Sequence, residues 1–271
     1  MNNTSTLQHI DTPYGQLFVQ DWYPEASRIV PGLSPILLHH DSLGCVALWR
    51  DFPQQLANAT GRRVIAYDRL GFGQSTPRTE RAPNSFVHDE GAIIVPLLRE
   101  ALGLDRFVVM GHSVGGGMSV ATAAAAGDVC DALITMAAQS WVEDRTAEGV
   151  RAARVSFAEP GQMERLARYH GARAPWVLSA WIDTWLHESF ANWSLDDLLP
   201  RVQCPALIMH GDSDEYGSVA HPARIARQLT TPREVIILEG VGHVPHREQP
   251  DVVLSHVARF LAQLQRNPAD A

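Results

Sequence analysis

The residues best placed to do chemistry in this 271-residue chain lie in one stretch, Phe107-Val108-Val109-Met110-Gly111-His112-Ser113-Val114-Gly115-Gly116-Gly117-Met118. Four apolar residues, a Gly-X-Ser-X-Gly and a run of small residues predict a strand that turns sharply into a helix, with Ser113 at the tip. Glycines on either side leave no Cβ to clash in so tight a turn. The helix behind it directs free N–H groups and the positive end of its dipole at whatever Ser113 attacks. The plainer reading is a Gly-rich strand-to-helix turn with a filler serine. The flanking strand and helix favour a nucleophile elbow.

A serine hydroxyl is a weak nucleophile at neutral pH and needs an imidazole to take its proton. That imidazole in turn needs a carboxylate to fix its tautomer and stabilise the imidazolium. The developing oxyanion needs donors already in place, each typically worth about 3–4 kcal/mol by mutation. The backbone N–H of Val114, directly after the serine, is the first such donor.

The elements that must position this serine alternate along the chain. Residues 8–23 predict a hairpin turning at Pro13-Tyr14-Gly15. Strands are predicted at residues 35–39, 64–68, 107–110, 132–136, 204–209 and 234–238, each a short apolar run suited to burial on both faces. Helical spacing fills 48–59, 84–102, 114–126, 222–229 and 252–264, with Gly61 and Gly103 closing two of them. This alternation predicts an α/β fold with a mostly parallel, doubly wound sheet covered on both faces.

From Gln139 to about Leu199 no strand is evident, and five of the seven tryptophans fall there: Trp141, Trp176, Trp181, Trp185 and Trp193. This predicts a helical, Trp-rich cap over residues 139–199, inserted after the sixth strand, with residues 1–138 and 200–271 as the core. Some of these rings form the cap's own core. Others are expected to line an apolar pocket over Ser113.

Composition narrows the chemistry. A formal net charge of −8 argues against nucleic acid or an anionic membrane as partner. There is no lysine, since all 22 basic residues are arginine, which removes Schiff-base, pyridoxal-anchor and Walker-lysine chemistry together. Cys45, Cys130 and Cys204 are widely spaced and outside any CxxC pattern, as in a reducing compartment without disulfides or zinc. The polar start, Met1 to Thr6, lacks a signal-peptide pattern, and no long apolar run follows, so a cytoplasmic protein is expected. The Arg-only, Ala-rich composition suits a GC-rich bacterial genome.

From about Pro35 to Phe260 the chain resembles α/β-hydrolase-fold enzymes. The resemblance rests on His40 with Leu43-Gly44 and Trp49, Asp68-Arg69-Leu70-Gly71-Phe72-Gly73-Gln74-Ser75, Gly111-His112-Ser113-Val114-Gly115, Gly211-Asp212-Ser213-Asp214, and Gly242-His243. It implies a triad in the order Ser113, Asp214, His243, with each residue at the carboxyl end of a strand. It also implies a second oxyanion donor at Ser42 or Leu43. Many relatives carry His-Gly after the third strand, whereas this chain has His40-Asp41-Ser42, so the choice between the two stays open. Serine at the nucleophile position sets the chain apart from haloalkane dehalogenases, which carry aspartate there.

Rival residues remain in view. Asp212 shares the acid loop with Asp214, and His246 lies near His243. Asp68 and Arg69 read as a structural ion pair, and Asp41 as a turn-former bonding its own loop. His40, Trp141, Trp181 and Trp185 are the candidates for the substrate pocket; His170, His187 and Asp183 are further cap residues within reach of a substrate. The expected partner is a small ester or lactone, with no nucleic acid or membrane and with a homodimer left open. Ser42-Leu43-Gly44 followed by Trp49 is similar to enol-lactone hydrolases. Acyl transfer needs no metal or organic cofactor, and no ligand cluster for one is visible. Carbon–carbon bond hydrolases of ring-cleavage diketones share the constellation, as do cofactor-free dioxygenases, hydroxynitrile lyases and non-catalytic small-molecule receptors on this scaffold.

Overall fold

Alternating burial divides each central strand between two apolar layers, and this places the helices. The computed structural model describes residues 5–266, so the first four residues of the polar N-terminal stretch lie outside the described residues. The chain runs through β1 (Ser5–Thr12), β2 (Gly15–Trp22), β3 (Ile36–His39), α1 (Phe52–Thr60) and β4 (Val64–Tyr67). A long helical run follows, made of α2 (Phe86–Asp89), a π turn (Glu90–Ile94) and α3 (Val95–Leu102). Then come β5 (Phe107–His112), α4 (Val114–Ala126) and β6 (Cys130–Met136). Helices α5 (Asp144–Phe157), α6 (Gln162–His170) and α7 (Ala174–Trp185) precede β7 (Ala206–Gly211). The chain closes with α8 (Ala220–Gln228), β8 (Arg233–Leu238), α9 (Pro245–Glu248) and α10 (Pro250–Arg266).

The eight strands form one sheet in the order β1-β2-β4-β3-β5-β6-β7-β8. Only the pairs β1–β2 and β2–β4 are antiparallel; the rest of the sheet is parallel. In β5, Phe107 and Val109 face one layer with Leu98, Met118 and Ile225, while Val108 and Met110 face the other with Leu56, Val257 and Phe260. That period of two is what a strand buried on both sides requires. No helix among the described residues is long and apolar enough to cross a membrane.

Two helices differ from their sequence expectations for reasons of backbone chemistry. The run expected over 48–59 is a 3-10 turn at Val46–Trp49, a left-handed Arg50 (φ 53°) and then α1. Pro53 explains the delay, because it has no N–H to donate and is tolerated only in a first turn. The run expected over 84–102 is continuous but widens into the π turn just before Pro96, where an extra residue relieves the proline's clash with the preceding turn. At Gly91 in this turn, a Cβ would lie 2.4 Å from the Thr122 nitrogen of α4.

Helices α5 to α7 sit over the carboxyl ends of the strands. A small apolar cluster joins Leu166, Ala174 and Val177 to Phe72, with Leu43 packed against it, so these helices rest on the loops after β3 and β4.

Candidate active site

Ser113 leaves β5 at φ 57° and ψ −127°, a strained conformation for a residue with a side chain. The turn closes so tightly that a Cβ on Gly111 would lie 2.1 Å from the Gly115 carbonyl oxygen. One on Gly115 would lie 2.2 Å from the His39 carbonyl oxygen. The glycine spacing is therefore a steric requirement.

Three residues from three strand ends meet in one hydrogen-bonded chain. His243 Nε2 lies 2.9 Å from Ser113 Oγ, and His243 Nδ1 lies 2.9 and 2.8 Å from the two Asp214 carboxylate oxygens. A carboxylate only accepts, so Nδ1 carries the proton and Nε2 is free to accept from the serine. Asp214 is buried and also accepts from the N–H groups of Tyr216 (2.7 Å) and Gly217 (3.2 Å). Burial pushes its carboxyl up, but the His243 bond and charge and the Tyr216 N–H outweigh it, holding the group below its ordinary value and ionised. Asp212 turns away, accepting from Gly240 N and Ser213 Oγ.

The loop after β3 is fixed by a set of bonds centred on Asp41. Its carboxylate Oδ1 accepts from Leu43 N at 2.9 Å, an Asx turn across the missing glycine. Its carbonyl oxygen accepts from His40 Nδ1 and Arg69 Nη2, both at 2.8 Å, and from Gly44 N at 3.2 Å. The Leu43 N–H is thus taken, whereas the N–H groups of Ser42 and Val114 have no partner among the described residues. Of the two candidates for second donor, Ser42 is the free one. Two side-chain donors on the carbonyl of the Asp41–Ser42 peptide also polarise its N–H.

Behind the triad, His112 Nε2 lies 2.6 Å from the His243 carbonyl oxygen, and Nδ1 lies 3.3 Å from Asp41 Oδ2. A carbonyl cannot donate, so Nε2 must carry hydrogen. The ring thus ties the His243 backbone to the loop that carries Asp41. Burial works against the Asp41 charge, yet His112 holds its carboxyl far below the usual range. His246, the rival to His243, is buried against Trp49, Phe52 and His112 behind the triad, and burial keeps it neutral.

Other expectations are corrected. Asp68 and Arg69 do not pair: Asp68 accepts from Val46 N and Gln74 N, both at 2.6 Å, while Arg69 lies over the Phe72 ring at 4.1 Å. His40 does not line the chamber at Ser113. It is buried, donates to Asp41 O and accepts from Arg69 N, because a bend this sharp needs its backbone groups satisfied. Trp141 also lies elsewhere, its ring tilted against that of His221 at 4.0 Å and its face met by Arg224 at 4.9 Å. His187 and Asp183 are spent on local contacts, with Ser189 and Arg154 respectively. His170 accepts from Gly73 N at 3.0 Å and donates to Leu43 O at 2.9 Å, tying α6 to both loops.

Trp181 and Trp185 stand between two cavities. One, of about 150 Å³, holds Ser113, His243, Asp41, Gln139 and Tyr216. The other, of about 140 Å³, shares Ser42, Trp181 and Trp185 with it and extends to Arg69, Arg78 and Glu90. Gln139 went unnoticed in the sequence, although its Oε1 lies 3.3 Å from Ser113 Oγ. Its place just beyond β6, the strand next to β5, was the signal available.

Comparison with known proteins agrees with this geometry. The family model described as alpha/beta hydrolase fold matches residues 34–197. The human serine hydrolase BPHL is 30% identical over 200 residues, covering 70% of this chain and 67% of that protein. A non-heme chloroperoxidase of Streptomyces lividans is 26% identical over 280 residues, covering 90% of this chain and 95% of the other. A crystal structure of proline iminopeptidase from Mycobacterium smegmatis superposes with a TM-score of 0.75 at 22% identity, over 95% of this chain and 98% of that one. At that identity the last likeness speaks for the fold alone. The chain belongs to the alpha/beta hydrolase fold family, and its class is a hydrolase of that fold.

Proposed function

We propose that the chain is a serine hydrolase that cleaves a small carboxylic ester or lactone through an acyl-enzyme. One observation carries this reading: Ser113, His243 and Asp214 are linked at 2.8–2.9 Å, with two N–H groups, on Ser42 and Val114, that have no partner among the described residues. His243 Nε2 takes the hydroxyl proton as Ser113 Oγ bonds to the carbonyl carbon, and the oxyanion accepts from Ser42 N and Val114 N. As the intermediate collapses, His243 returns the proton to the departing alkoxide oxygen. In a lactone that alcohol stays tethered to the acyl group. Water then attacks the acyl-enzyme, with His243 again the base, and Ser113 is regenerated.

The test is intact-mass spectrometry after exposure to a fluorophosphonate probe, followed by turnover of short p-nitrophenyl esters and simple lactones. One adduct on the wild type, absent from Ser113→Ala, together with turnover that depends on Ser113, is the expected result. A folded wild type that takes up no probe and turns over neither class would overturn the reading.

A further inference from the structure

The cavity beyond Trp181 and Trp185 is apolar along its walls, through Leu70, Phe86, Ile94 and Trp176, and charged at one end. Arg69 at that end is 5% exposed. Its Nη2 is bonded to Asp41 O, while Nη1 has no hydrogen-bond partner among the described residues. Among the described residues, no carboxylate oxygen lies within 4.0 Å of the Arg69 guanidinium, nor of Arg78, which lines the same cavity. Arg78 is near enough to act on Arg69 as a like charge.

Two carboxylates line this cavity, Glu90 from the π turn and Asp89 beside it, and Asp89 accepts from Ser85 Oγ at 2.7 Å. Glu90 Oε1 accepts from Tyr67 Oη at 2.6 Å and touches neither guanidinium. Burial raises its carboxyl above the ordinary value, against the pull of Arg69, the Tyr67 hydroxyl and Arg78, with Asp89 adding to the rise. Buried cations are normally matched by a contacting anion. Here the buried Arg69 and the half-buried Arg78 converge on a gap lined by Glu90. A planar, singly charged carboxylate satisfies the gap by accepting from guanidinium N–H groups. A dianion would face Glu90 and Asp89 together.

The geometry points to Arg69 and Arg78 as a carboxylate-binding subsite, so that the substrate is an ester or lactone bearing a free carboxylate beyond an apolar or aromatic spacer. The spacer would pass between the Trp181 and Trp185 rings, placing the scissile carbonyl at Ser42 N, Val114 N and Ser113 while the carboxylate reaches the arginines. The inference deepens the reading of Ser113 as nucleophile and rests on it for the word substrate. The subsite itself is a binding claim and is tested without turnover.

The probes are 4-phenylbutyrate and 4-phenylbutan-1-ol, titrated into the Ser113→Ala protein and followed by tryptophan fluorescence, since Trp176, Trp181 and Trp185 line the cavity. The acid is expected to bind at least tenfold tighter than the alcohol. Adding Arg78→Ala, a change at a partly exposed loop residue, is expected to remove most of that preference. Equal binding of acid and alcohol, or a preference that survives Arg78→Ala, overturns the subsite. Fluorophosphonate labelling of the wild type in parallel separates the two claims: a protein that binds the acid but takes no probe keeps the subsite and loses the hydrolase reading.

Discussion

Two chambers meet at Trp181 and Trp185, and their polar groups are arranged on opposite principles. Around Ser113 nearly every donor and acceptor is matched: Asp214 by His243 and two N–H groups, Asp41 by Leu43 N and His112, and His40 by Asp41 and Arg69. What is left over is a pair of N–H groups beside one serine. Around Arg69 and Arg78 the charges face one another without contact. A site that must hold atoms still for bond-making satisfies its own groups first. A site that selects a ligand leaves groups for the ligand to satisfy.

The largest effects are expected where the matched network is cut. Asp214→Asn should lower kcat for ester cleavage about 10^4-fold, because the amide can donate to His243 Nδ1 and favour the wrong tautomer. Circular dichroism should show an unchanged fold, and a variant within tenfold of wild type would remove Asp214 from the triad. Arg69→Gln should lower kcat ten- to a hundredfold, less than loss of an oxyanion donor itself, because it removes one of two side-chain bonds orienting the Asp41–Ser42 peptide. An effect confined to KM would place Arg69 in the outer chamber alone.

The chambers also differ in the sign of their response to pH. His39, at the end of β3 beneath the elbow, is pushed down to about 3, chiefly by burial and then by Arg69. A histidine held neutral in the fold adds stability above its unfolded pKa and loses it as pH falls from about 6.5 toward 3. By pH 5 this residue alone should reduce unfolding free energy by ~2 kcal/mol relative to pH 8, with His40, His170, His210 and His246 acting in the same direction. Urea midpoints that do not shift between pH 8 and 5 would contradict this. Glu90 runs the other way: its raised carboxyl costs stability as pH rises above the unfolded glutamate value near 4.5. Glu90→Gln should therefore raise the urea midpoint at pH 8 by more than at pH 4. The smallest effect expected is for Trp181→Ala, a few-fold rise in KM for aromatic esters with kcat nearly kept, as the partition between the chambers is lost.

How much of this was legible in the sequence follows from where the forces are local. The elbow could be read because a positive φ at Ser113 and two backbone approaches near 2 Å demand glycine at fixed spacing. The parallel strands could be read because burial on both faces needs unbroken apolar runs. The family's motif spacings pointed to Asp214 and His243, and the fold brings them to Ser113 from β7 and β8. Pairings set by tertiary approach were not legible. Nothing near Trp141 announces that its ring meets His221, eighty residues on, and only the strand order, not local sequence, brings Gln139 to Ser113. Asp68-Arg69 looked like an ion pair because they are adjacent, but neighbours in an extended segment point apart, and each found backbone partners of its own, Val46 N and Gln74 N for Asp68 and Asp41 O for Arg69.

The two bonds of His170 bear on how a substrate arrives. Its ring accepts from Gly73 N and donates to Leu43 O, so helix α6 is stitched to the backbone one residue from Ser42. Were α5 to α7 to swing up as a hinged lid, that stitch would pull on the oxyanion loop and undo the alignment of the Ser42 N–H just as the substrate came in. A rigid roof with a side door avoids this. The outer cavity reaches Tyr14 and Arg78, both exposed to some degree, and offers such a door. On this view turnover proceeds with the roof closed, and traffic passes the tryptophan partition by small ring motions in place of domain opening.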